Sequence, residues 1–142
     1  MAEIRVVFNG RAGDSSITPD ELMGLLRRAG HDAVLHDPGQ MKLGEFLRGP
    51  MKMVVAAGGD GTVGKIALAL TGRKIPLGII PLGTANNIAG SLGVSFEAEK
   101  AIHAWAVSDA IAYDTGLAVG PWRANVWPRQ WLRRPTKWSA LT

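Results

Sequence analysis

Two short stretches hold the residue types from which a phosphate site can be built: Gly58-Gly59-Asp60-Gly61-Thr62 and, twenty residues on, Pro81-Leu82-Gly83-Thr84-Ala85-Asn86. Glycines let successive backbone N–H groups turn toward an anion, and a helix beginning at such a turn adds its positive end. Thr62 and Thr84 offer hydroxyls to a polyphosphate, and Asn86 offers an amide. Asp60 is out of place in an anion cradle, because a carboxylate repels phosphate. It has a role there if it faces Mg²⁺ or takes the proton of a hydroxyl being phosphorylated. The plainer alternative is that Asp60 caps the helix that follows it.

The same loop touches two other motifs, and both fail on a named residue. Gly59-Asp60-Gly61-Thr62-Val63-Gly64 fits the dinucleotide fingerprint G-x-G-x-x-G, which needs an acidic residue about 20 positions later to hold the ribose. No Asp or Glu lies between Asp60 and Glu97. Residues 59–65 also fit G-x-x-x-x-G-K, but the position that should carry a Mg²⁺-binding hydroxyl is Ile66. Ile66 falls on the apolar stripe of the next helix with Val63, Ala67 and Leu70, and a residue packed in a core cannot ligate a metal.

The elements that must position these loops read as strands alternating with helices. Ile4-Arg5-Val6-Val7-Phe8 is a β-branched run closed by Asn9-Gly10. Thr18-Pro19-Asp20-Glu21 predicts a helix start with a capping box, followed by Leu22, Leu25, Leu26 and Ala29 at helical spacing and a stop at Gly30. Ala33-Val34-Leu35 reads as a strand and residues 41–47 as a short helix. Met53-Val54-Val55-Ala56-Ala57 is apolar on both faces, as a central parallel strand must be. A helix ending at Gly72, a strand over 77–80, a short helix to Leu92 and a longer one from about Phe96 come next. In that last helix Ala98, Ala101, Ile102 and Trp105 share a face, and residues 110–113 and 117–119 read as extended. The order predicts an open, mostly parallel, Rossmann-like α/β sheet with helices on both faces. In such sheets ligands sit beyond the carboxyl ends of the strands, where the turns at 9–13, 58–62 and 83–87 converge.

Bulk properties narrow the partners. At 142 residues, 46% hydrophobic and 20% charged, the chain suits one globular domain, and with no Cys it has neither a disulfide nor a thiolate metal site. The net charge of +4 does not belong to the body: residues 1–114 carry all 12 acids and 11 of the 16 Lys and Arg, a net of −1. That argues against a nucleic-acid partner. Without a signal-peptide pattern after Met1 or a long apolar run, the expected location is cytoplasmic, with any membrane contact peripheral at the inner face. His31, His36 and His103 lack metal-ligand spacing; His103 reads as a helix-surface residue, and Lys65 has the reach to contact a phosphate but reads first as a solvated helix position.

G-G-D-G-T followed by P-x-G-T-x-N resembles the catalytic domain of diacylglycerol kinases, shared with sphingosine and ceramide kinases and bacterial lipid kinases. The resemblance covers residues 3–119. NAD kinases are more distant, because Gly83-Thr84-Ala85-Asn86 matches the lipid-kinase turn rather than their N-x-G turn. The resemblance implies ATP held by Gly58, Gly59, Asp60, Gly61 and Thr62, with Thr84 and Asn86 as further contacts and Asn9 opening the first loop. Asp60 would stand nearest the chemistry, the transfer of the γ-phosphoryl group of Mg-ATP to a lipid hydroxyl, that of diacylglycerol or behind it a sphingoid base. Several positions depart from the family pattern. The first loop, Asn9-Gly10-Arg11-Ala12-Gly13, lacks a proline, and Gly64-Lys65 replace the commoner Asn-Glu. His36 stands about where many members have a nucleotide-contacting threonine, and Asn87 replaces a frequent Asp.

The end of the chain differs from the rest. Residues 121–142 hold four of the five Trp, three of the eight Pro, five basic residues and no acid, with neither helical nor strand periodicity. The expectation is an ATP-binding domain over 1–119 and an atypical Trp/Arg/Pro-rich tail over 120–142. The family's second, β-rich domain, with its further acidic catalytic residues, is then missing, so the first rival to a lipid kinase is a non-catalytic nucleotide-binding fragment. The tail is read as the product of a frameshift near Pro121. The competing reading of the tail is a membrane-interface segment.

Overall fold

The computed structural model describes residues 3–10, 17–118 and 125–128. Four parallel strands form one sheet in the order β2-β1-β3-β4, with β1 at Ile4–Phe8, β2 at Ala33–His36, β3 at Met53–Gly58 and β4 at Leu77–Pro81. The register is continuous: Val6 lies opposite Leu35 on one side and Val55 on the other, and Val55 lies opposite Gly78.

Side-chain alternation along β3 divides the core in two. Val54 and Ala56 join Val7 and Ile79 under the helices α2 (Leu43–Phe46), α3 (Asp60–Ala69) and α4 (Asn87–Ser91), where Phe46, Val63, Ile66 and Ile88 are buried. Val55 and Ala57 face the opposite way, with Ile4, Val6 and Ile80, against Leu22 and Leu26 of α1 (Pro19–Arg28) and Ile102 of α5 (Ala98–Val107). The helices therefore cover both faces, as the alternation of elements requires.

Local chemistry sets the boundaries. The capping box before α1 forms in full: the Glu21 N–H donates to Thr18 Oγ1 at 3.3 Å, and the Thr18 N–H donates to Glu21 Oε2 at 2.7 Å. Gly30 follows α1 at φ +80°, a conformation costly for any residue with a Cβ. Arg5 reaches from β1 to the carbonyls of Phe46 and Arg48, and Arg73 donates to the Leu47 carbonyl at 3.0 Å, so two guanidinium groups satisfy the end of α2. Gly78 leaves room on β4 for the indole of Trp105, since a Cβ there would stand 2.8 Å from the ring.

Two expectations require correction. Residues 110–113, read as extended, form no strand; β5 begins at Thr115 and ends at Ala118. It pairs antiparallel with β6 (Asn125–Pro128), inside the segment read as lacking strand periodicity. Four-residue strands are too short to display a period, and their pairing rests on backbone hydrogen bonds. The remaining tail residues, 119–124 and 129–142, lie outside the described residues, as do 11–16 of the first loop.

Candidate functional site

The chain leaves β1 to one side, toward β2, and then returns to place β3 on the other side of β1. That reversal opens a crevice at the carboxyl ends of β1 and β3, the usual ligand position in an open parallel sheet. Asn9 follows β1 there, and residues 58–62 carry β3 into α3.

The two loops are tied directly. The Asn9 N–H donates to the Ala57 carbonyl at 2.8 Å, and Asn9 Nδ2 donates to Thr62 Oγ1 at 3.0 Å. Gly58 makes room for that threonine, because a Cβ at 58 would lie 2.8 Å from Thr62 Oγ1. Gly59 is the N-cap of α3 and supplies no side chain, so the first N–H groups of the helix are left without a side-chain cap. A ten-residue helix with an uncapped start at a glycine turn is suited to an anion.

The second turn, residues 83–86, stands against the first. A Cβ on Gly83 would come within 2.5 Å of the Gly59 Cα, so the two backbones meet with no space for a side chain. Asn86 holds the turn from inside: its Oδ1 accepts from the Gly83 N–H at 2.9 Å and its Nδ2 donates to the Gly83 carbonyl at 2.5 Å. Asn86 is also the one non-glycine residue at positive φ among the described residues, at +50°. Asparagine tolerates that conformation better than most residues. Thr84 is exposed on the same turn.

Asp60 binds neither its own helix nor empty space. Its Oδ2 accepts from the backbone N–H of Asn87 at 2.9 Å and from Asn87 Nδ2 at 3.2 Å, and its Oδ1 accepts from the Ile88 N–H at 2.9 Å. The carboxylate thus caps α4 and not α3, the helix that follows it in the chain. Three of its roughly four acceptor positions are filled. Asn87, noted only as a departure from the family pattern, supplies two of the three donors.

Three polar residues, Asn9, Thr62 and Lys65, line a hollow of about 250 Å³ at this edge, with Gly61 beside them. Its other side is apolar, formed by Val7, Pro38, Met41 and Ile66. Ile66 is 1% exposed, which confirms its place in the core and removes the Mg²⁺ hydroxyl of a P-loop. A second hollow of about 310 Å³, by Arg27, His31 and Asp32, lies before β2 at the opposite end of the sheet and includes none of the residues of the two turns.

Three residues change standing. Lys65, read as a solvated helix position, lines the hollow. Tyr113 has its hydroxyl enclosed with no hydrogen-bond partner, and burial first, then the negative charge of Asp60, pushes that phenol up. His36 turns instead to the edge of the Phe46 ring, 4.8 Å between centroids, and does not line the hollow. Lys65 closes the G-x-x-x-x-G-K fit that failed at Ile66, whereas Tyr113 belongs to no motif and is brought near Asp60 only by the fold. Among the described residues no three His, Asp or Glu side chains gather into a metal site, and no helix is long and apolar enough to cross a membrane.

Comparison with known proteins agrees with this geometry. The Diacylglycerol kinase catalytic domain family matches residues 3–118. "Lipid kinase YegS" of Escherichia coli (strain K12) is 36% identical over 118 residues, covering 77% of this chain and 39% of that protein. "Probable lipid kinase YegS-like" of Citrobacter koseri shows the same identity and coverage. The crystal structure of a diacylglycerol kinase from Bacillus anthracis str. Sterne superposes with a TM-score of 0.61 at 24% identity, over 80% of this chain and 42% of that one. The chain thus spans about two fifths of the length of these relatives. With the fold, the paired turns and the family match in agreement over the same residues, the chain belongs to the diacylglycerol kinase catalytic domain family.

Proposed function

We propose that this chain is the ATP-binding part of a lipid kinase, and that the hollow between Asn9 and α3 receives the nucleotide. The observation that carries the reading is the contact between the two turns, Gly83 against Gly59, at the uncapped start of α3. That contact sets the turn 83–86 beside the uncapped start of α3, where a chain of phosphates gains most from helix and backbone dipoles. The reaction would pass the γ-phosphoryl group of ATP to a lipid hydroxyl, with diacylglycerol the acceptor its family membership favours and a sphingoid base second. Such acceptors lie in a bilayer, so contact with the membrane would be peripheral.

Thr62, Thr84 and the N–H groups of residues 59–62 would hold and orient the phosphates. Asn86 would act through the turn it closes. Mg²⁺ fits as an ion that arrives with the phosphates: Asp60, with one acceptor position left, suits contact with a hydrated ion or with the acceptor hydroxyl and not chelation. Bound there, the ion would neutralise charge on the phosphoryl group. The chain's own residues would position it and exclude water from one wall of the hollow.

Calorimetric titration of the chain with ATP in the presence of Mg²⁺ tests the reading. Saturable binding that ADP competes for and NAD does not is the expected result. Absence of ATP binding overturns it. Transfer of labelled phosphate to diacylglycerol vesicles, with sphingosine vesicles in parallel, then identifies the acceptor.

A further inference from the structure

Lys65 is the one charged side chain lining the hollow, which Asn9 and Thr62 also border. It is exposed, and among the described residues no carboxylate lies within ion-pair distance of it. Surface lysines on this chain do find partners when acids are near, as Lys42 does with Glu45 and Lys100 with Glu97. α3 begins at Asp60, so Lys65 stands in the second turn, roughly 7 Å along the axis. Side chains on a helix lean toward its N-terminus, which carries the ammonium back toward Gly61 and Thr62.

We propose that Lys65 is a phosphate-binding residue of this site, a lateral cation that holds the nucleotide's phosphate chain against the start of α3. The proposal rests on the nucleotide reading and deepens it by naming the cation. The mode differs from that of a P-loop lysine, which lies within the loop-to-helix turn itself. Here the lysine approaches from the helix flank, and the residue after it, Ile66, is buried at 1% exposure instead of offering a hydroxyl to a metal. A point charge on a flexible stem suits this geometry, because it tracks a phosphate without demanding a fixed angle.

The test is calorimetric titration of the wild-type chain, Lys65→Gln and Lys65→Arg with Mg-ATP, Mg-ADP and adenosine, at low and at physiological salt. Lys65→Gln should bind ATP roughly tenfold more weakly, as loss of one charge-assisted contact predicts. It should bind adenosine as the wild type does and lose part of the wild type's salt dependence. Lys65→Arg should retain ATP affinity within about threefold. Thermal unfolding of the variants should match the wild type, since an exposed helix position tolerates either side chain. Unchanged ATP affinity and salt dependence in Lys65→Gln overturn the assignment alone, as do equal losses for ATP and adenosine. A wild-type chain that binds no ATP overturns the nucleotide reading and this assignment with it.

Discussion

Asp60 has a structural duty beside the chemistry proposed for it. Both its oxygens hold α4 through Asn87 and Ile88. A substitution meant to probe chemistry therefore also probes structure. Asp60→Asn keeps one acceptor oxygen and sets an NH₂ group against N–H donors, leaving at least one donor unmatched. Urea unfolding should show a loss of about 1–2 kcal/mol, the scale of a lost charge-assisted hydrogen bond with a partly exposed partner. An unchanged midpoint would show that α4 does not depend on this cap. The sequence marked Asp60 as anomalous, because an acid in an anion cradle is anomalous wherever it occurs. It did not reveal the partner, which is 27 residues away and meets Asp60 only after two strands have paired. The same limit applies to Lys65 and Tyr113, whose neighbours are set by α3 packing on the sheet and by the path of the chain after α5.

Elements were legible where a local signal is complete. α1 announced itself through Thr18, Pro19 and Glu21, and its start and capping box agree with the expectation. β3 was legible from five consecutive apolar residues, and Gly58 extends it by one. β5 and β6 were not, since a four-residue ladder leaves too little pattern. Between elements, the decisive contact is Gly83 on Gly59: the order of elements brought the two turns to one edge, but nothing in the glycine pattern said which two residues would touch. Gly83→Ala would place a methyl carbon 2.5 Å from the Gly59 Cα, and neither backbone can yield without moving its turn. Stability should fall by about 1–3 kcal/mol, the cost of forcing atoms into a filled space, and ATP binding should be lost. Gly44→Ala is the control, because a Cβ at 44, in α2 and outside the lining of the hollow, meets nothing within 4 Å. Equal binding by the two variants would show that the turns need not meet.

At the scale of the molecule, strand alternation predicted two covered faces, and the two core clusters show them. It did not predict the order β2-β1-β3-β4, because periodicity says which way a side chain points and not which strand lies beside it. Stability of the whole fold carries a titration signature. His31 and His36 both lie below their ordinary 6.5: burial is the first cause for each, followed by the Lys52 charge for His31 and the Arg5 charge, opposed by Glu3, for His36. The folded state thus favours neutral rings. Above the ordinary histidine range the benefit is complete, and as pH falls below it the unfolded chain takes up protons first, so stability declines until the folded rings also titrate. The urea midpoint should fall as pH is lowered from about 7 to about 5. His36→Phe, which keeps a ring against Phe46, should reduce that fall while His31 sustains the remainder. Superimposable pH profiles for the two proteins would remove His36 from the account.

The place of Trp105 over Gly78 has an optical consequence. Of the five tryptophans it alone precedes residue 121. A chain with Trp122, Trp127, Trp131 and Trp138 replaced by phenylalanine would emit from a single indole seated on β4, the strand whose last residue leads into the second turn. A ligand that shifts the second turn and the strand leading into it would then be visible as a change in colour or brightness of that one lamp, with no label attached and no lipid present.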